Sequence, residues 1–115
     1  MTVRRMKTYT GGQGYVYQYY FVGKRQAGTS TEYIFDVTSD RKRSYAVSVF
    51  LTAKALEEWA ASHCRNLTAA EQYGAVKMRL FQAFDEIEDM ISHGRQLFVD
   101  PATLEQVLAT LGVDN

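Results

Sequence analysis

Between residues 31 and 51 an apolar side chain recurs at every second position, and this alternation constrains the fold more than any other feature. Tyr33, Phe35 and Val37 alternate with Ile34, Asp36 and Thr38, and Tyr45, Val47, Val49 and Leu51 alternate with Ala46, Ser48 and Phe50. Successive side chains of an extended chain point to opposite faces, so the pattern predicts two strands committed to one buried face. Residues 15–24 carry the same β-favouring types with a less decided phase: Tyr15, Tyr17, Tyr19 and Phe21 oppose Val16, Gln18, Tyr20 and Val22, and both sets are largely apolar. Gly23, Gly28 and the polar run 39–43 supply turns. Such short connections join antiparallel neighbours, which makes a three-stranded meander.

After Thr52 the period changes. Leu56, Trp59, Ala60 and His63 fall at helical spacing, with Thr52 as N-cap and Asn66 as stop. Thr68 and Glu71 have the spacing of a capping box, and Tyr73, Val76, Leu80, Phe84, Ile87 and Ile91 then line one face of a long helix ending at His93 and Gly94. A third helix opens at Asp100 and Pro101, buries Leu104, Val107, Leu108 and Leu111, and stops at Gly112. Strands followed by helices define the α+β class: a three-stranded antiparallel meander followed by three helices packed on one sheet face. On this reading residues 1–14 form a flexible basic N-terminal arm and residues 15–115 a single domain.

Composition limits the function classes. The chain has 115 residues, 46% apolar and 23% charged, which fits a globular domain and excludes a disordered or fibrous one. Apolar runs such as residues 19–22 fall far short of the ~20 residues that span a bilayer. No apolar stretch follows Arg4 and Arg5, so no secretory signal is expected, and the expected location is cytoplasmic. The single cysteine, Cys64, forms no internal disulfide.

Catalytic side chains are few. His63 and Cys64 are adjacent on a helix and point about 100° apart, too divergent to aim at one substrate. No histidine or cysteine spacing suits zinc. Asp85, Glu86, Glu88 and Asp89 read as a solvated face rather than an acid–base site. Gly11, Gly12 and Gly14 precede a strand, whereas phosphate-cradling glycines follow one and open a helix. The expectation is a protein without catalytic residues, cofactor or metal.

Two surfaces remain. Residues 1–43 hold eight basic and three acidic side chains, net +5, and residues 44–115 hold five basic and ten acidic, net −5. Arg4, Arg5, Lys7, Arg41, Lys42 and Arg43 are expected at one sheet edge, where they would meet nucleic-acid phosphates beside stacking tyrosines. The order of three antiparallel strands then a helix resembles the DNA-binding modules of integrase amino-terminal domains, a likeness of element order that no motif carries. The second surface is apolar: Tyr20, Ile34 and Phe50 on the reverse of the sheet, and Met78 and Phe81 off the stripe of the long helix. Surplus aromatic surface of this kind marks a partner interface. The chain is therefore expected to be a small non-catalytic interaction module that self-associates as a homodimer. A nucleic-acid-binding domain using the basic edge is the alternative, and a small enzyme or ligand-binding protein with a pocket near His63 is a third.

Overall fold

The computed structural model describes residues 6–12 and 14–113. The chain is α+β, with a five-stranded mixed sheet and four helices. In chain order the elements are β1 (Lys7–Thr10), β2 (Val16–Ala27), β3 (Ser30–Thr38), β4 (Tyr45–Thr52), α1 (Ala53–His63), α2 (Ala69–Glu86), α3 (Met90–His93), β5 (Gln96–Val99) and α4 (Pro101–Leu111). The sheet order is β1-β2-β3-β4-β5; β1 to β4 pair antiparallel, and β5 joins β4 in parallel.

The meander is therefore the centre of a larger sheet. Two four-residue strands were not expected. Lys7–Thr10, part of the stretch read as an arm, pairs with the start of β2, with Tyr9 opposite Tyr17. Gln96–Val99 docks on β4, with Phe98 opposite Phe50. A parallel neighbour needs a crossover connection, and α1 to α3 supply it.

Register decides the phase of β2. Tyr19 pairs with Val37, and Tyr20 with Asp36. Tyr17, Tyr19, Tyr33, Phe35, Val37, Val47, Val49, Leu51, Leu97 and Val99 are buried on one face. A bulge between Phe21 and Gly23 interrupts the ladder; beyond it Lys24 opposes Tyr33, and Arg25 opposes Glu32. The turn into β3 is two residues long, and Gly28 takes a left-handed φ of 63° that side-chain-bearing residues avoid.

Helix ends follow their caps. Thr52 Oγ1 accepts from Ala55 N at 3.1 Å, Thr68 and Glu71 form the reciprocal capping box, and Asp100 accepts from Thr103 N ahead of Pro101. Two ends differ from expectation. The α1 helix stops at Cys64, which adopts a left-handed φ of 58°, rather than at Asn66. The long helix ends at Glu86 because Ile87 is extended, and Asp89 caps the separate α3. Ile91 therefore leaves the stripe and is exposed.

Ala55 and Trp59 of α1, Ala75, Val76, Leu80, Ala83 and Phe84 of α2, and Leu104, Val107 and Leu108 of α4 join the buried sheet face in one core. An aromatic seam closes its β1 side: Tyr9 stacks on Phe81 at 4.4 Å, and Tyr17 on Phe84 at 4.2 Å.

Candidate functional site: the open face of the sheet

Side chains alternate, so the reverse of each buried strand residue is displayed on the other face. That face carries Val16, Gln18, Tyr20 and, past the bulge, Arg25 from β2, Glu32, Ile34 and Asp36 from β3, Ala46, Ser48 and Phe50 from β4, and Gln96 and Phe98 from β5. None of its large apolar side chains (Val16, Tyr20, Ile34, Phe50, Phe98) joins the core. Phe98 is 56% exposed and stacks on half-buried Phe50, their ring centroids 5.2 Å apart and the planes 18° from parallel.

Polar groups are fixed within this apolar field. Tyr20 OH donates to Asp36 Oδ2 at 2.7 Å. Glu32, only 7% exposed, accepts from Arg25 Nε at 2.7 Å and from Ser48 Oγ at 2.6 Å. Those two bonds, the Arg25 contact first, hold its carboxyl below the usual range. Glu32 is covered by its neighbours on the sheet, while the Arg25 side chain that reaches it stays 70% exposed.

Two stretches of sheet edge are blunted. Beyond Tyr20 the β2 edge carries the bulge, Lys24 and Arg25. At the β5 edge Arg79 Nε donates to the Phe98 carbonyl at 3.1 Å. Bulges and charged side chains blunt edges against strand addition.

Of the expected partner-binding residues, Tyr20, Ile34 and Phe50 share the open face. Met78 and Phe81 do not join them. Both are half-buried against the core, Phe81 under Tyr9, because β1 brings a ring to that side of α2. Phe98 was missed; its only trace in the sequence is the alternation of Leu97 and Val99 with Gln96 and Phe98 over four residues.

Of the six expected cations, Lys7, Arg41, Lys42 and Arg43 are among the described residues, and Lys7 lies at the same end of the sheet as the β3–β4 turn. Lys7 is in register with Tyr19 and Val37, level with Tyr45 but three strands away, roughly 14 Å. Its side chain stands on the helix side, whereas Arg41, Lys42 and Arg43 occupy the exposed β3–β4 turn. Arg4 and Arg5 lie outside the described residues. Asp40 organises the turn by accepting from Lys42 N at 2.8 Å and Arg43 N at 3.0 Å, with Arg41 at a left-handed φ of 64°. These backbone bonds lower its carboxyl pKa, that from Arg43 most.

Near His63 the structure has an open groove between α1 and α4, about 340 Å³, lined by Glu58, Trp59, Ser62, Pro101, Ala102 and Glu105. His63 Nε2 meets Glu105 Oε1 at 2.8 Å, and its ring stacks on Trp59 at 4.2 Å. Trp59 Nε1 is buried and finds no acceptor among the described residues. The groove is bordered by the acids Glu58 and Glu105. Among the described residues no three His, Cys, Asp or Glu side chains are grouped to hold a metal ion. Two of the four clustered acids are structural: Asp85 anchors Tyr9 and the Gly12 amide, and Asp89 caps α3.

No protein-family model, curated protein or solved structure matches this chain.

Proposed function

We propose that this chain is a non-catalytic interaction module that pairs with a second copy of itself through the open face of its sheet. The observation that carries the reading is the Phe50–Phe98 stack on the same face as Ile34 and Tyr20, all outside the core. Sheets that present such a face stack on another sheet about 10 Å away.

Four strands about 4.8 Å apart and roughly five residues deep make a patch of roughly 19 by 16 Å, so two of them bury on the order of 600 Å² before side-chain relief, the size of a weak, concentration-dependent contact. Two arguments favour a second copy. The chain has 13 basic and 13 acidic residues, so two copies meet without net repulsion. A two-fold axis through the face sets the same patch against itself, and stacked aromatic rings are self-complementary in that arrangement. The Arg25 guanidinium, bound to Glu32 and 70% exposed, would help fix the register, since a mismatched partner desolvates it without new bonds.

Light scattering on the wild type and on Phe98→Glu tests the reading. The wild type is expected to dimerise and the variant to remain a folded monomer. A variant that dimerises as tightly as the wild type would show that this face is not the contact.

A further inference from the structure

The seam where β1 and β2 meet α2 encloses an amine. Lys77 of α2 is half-buried, and its Nζ lies 5.9 Å from the Tyr19 ring centroid, 5.7 Å from that of Tyr73 and 5.9 Å from that of Phe81. Lys7, paired with Tyr19 across the sheet, brings a second amine beside it on the same face. No carboxylate among the described residues forms an ion pair with Lys77; the titratable groups facing it are Lys7, Tyr19 and Tyr73. Lys54, by contrast, has a side chain 78% exposed and a glutamate one helical turn away.

We propose that Lys77 is a nucleophilic amine that forms a reversible imine with an anionic aldehyde, Lys7 holding the anion. Burial foremost, and then Lys7, pushes the Lys77 ammonium below its ordinary pKa, against the attraction of the three ring faces for the cation. A lysine set among apolar groups next to another cation is activated in this way. In the step itself the nitrogen lone pair adds to the carbonyl carbon and the oxygen takes up a proton. Loss of water from the resulting carbinolamine leaves the carbon–nitrogen double bond.

The test is labelling of the whole chain near pH 7.5 with 4-carboxybenzaldehyde and sodium cyanoborohydride, which delivers hydride to the imine carbon and fixes the adduct as a secondary amine. Peptide mass mapping then gives the rate at each lysine. Lys77 is expected to react at least about threefold faster than Lys42 or Lys54. Lys7→Ala should reduce that ratio, as should uncharged benzaldehyde. Labelling of Lys77 no faster than of Lys54 in the wild type overturns the proposal, whatever the variant does. A ratio unchanged in folded Lys7→Ala overturns the part given to Lys7.

Discussion

Tyr9 and Asp85 are 76 residues apart and joined by a 2.7 Å hydrogen bond that fastens the edge strand β1 to the last turn of α2. The phenol donates, the carboxylate accepts, and the same carboxylate takes the Gly12 amide at 3.2 Å. The bond to Asp85, then burial, raises the Tyr9 phenol to about 12. A phenol whose folded pKa exceeds its unfolded value of 10 adds stability below pH 10 that fades as pH climbs through about 12. Tyr9→Phe keeps the stack on Phe81 and loses only the hydroxyl, so it should cost about 0.5–1.5 kcal/mol in urea unfolding. An absorbance titration should lose one late-ionising tyrosine in that variant.

The capping box of α2 predicts an acid limb. Arg65 donates to both Glu71 oxygens at 2.8 Å, and the Thr68 amide donates at 2.9 Å. These bonds, the Arg65 contact first, hold Glu71 at about 2 against an ordinary 4.5. A depressed carboxylate contributes stability above its unfolded pKa, so this contribution should be present above pH 4.5 and lost as pH falls towards 2. Denaturation of Glu71→Gln between pH 2 and 6 should give a flatter pH dependence than the wild type. Thr68→Ala should cost about 1 kcal/mol at neutral pH.

The two faces of the sheet should respond differently to truncation. Leu80 is fully buried, and Leu80→Ala should cost about 2–5 kcal/mol. Phe98 is more than half exposed and loses mainly its stack on Phe50, so Phe98→Ala should cost under about 1.5 kcal/mol in dilute monomer. Thermal unfolding at low concentration compares the two directly. A loss at Phe98 as large as at Leu80 would place that ring in the monomer core.

The basic turn is predicted to be dispensable for pairing. Arg41→Ala/Lys42→Ala/Arg43→Ala should dimerise as the wild type does, because these side chains lie beyond the end of the aromatic field. Light scattering at matched concentrations reads this out, and dissociation of the triple variant would shift the contact towards the turn.

The α+β class and the meander were legible because Tyr33, Phe35 and Val37 repeat at period two next to Tyr45, Val47, Val49 and Leu51. Thr52, Thr68, Asp100 and Gly112 announced helix ends by local chemistry, which needs no tertiary information. The two outer strands were not legible for a physical reason. Four residues such as Lys7–Thr10 or Gln96–Val99 complete only two periods and owe their extension to the neighbour they pair with. Missing β1 left Phe81 without Tyr9 and suggested an exposed ring. Missing β5 concealed Phe98, the most exposed aromatic side chain of the open face. Ile34 and Phe50 could be placed there because alternation assigns a face, whereas the phase of Tyr20 was decided only by its register with Asp36.

Sedimentation equilibrium of the unmodified chain, from about 1 to 300 μM, addresses the self-pairing surface most directly. The weight-average mass should rise with concentration from 13.1 kDa towards twice that value and level off there. A mass fixed at 13.1 kDa across the whole range would contradict the account.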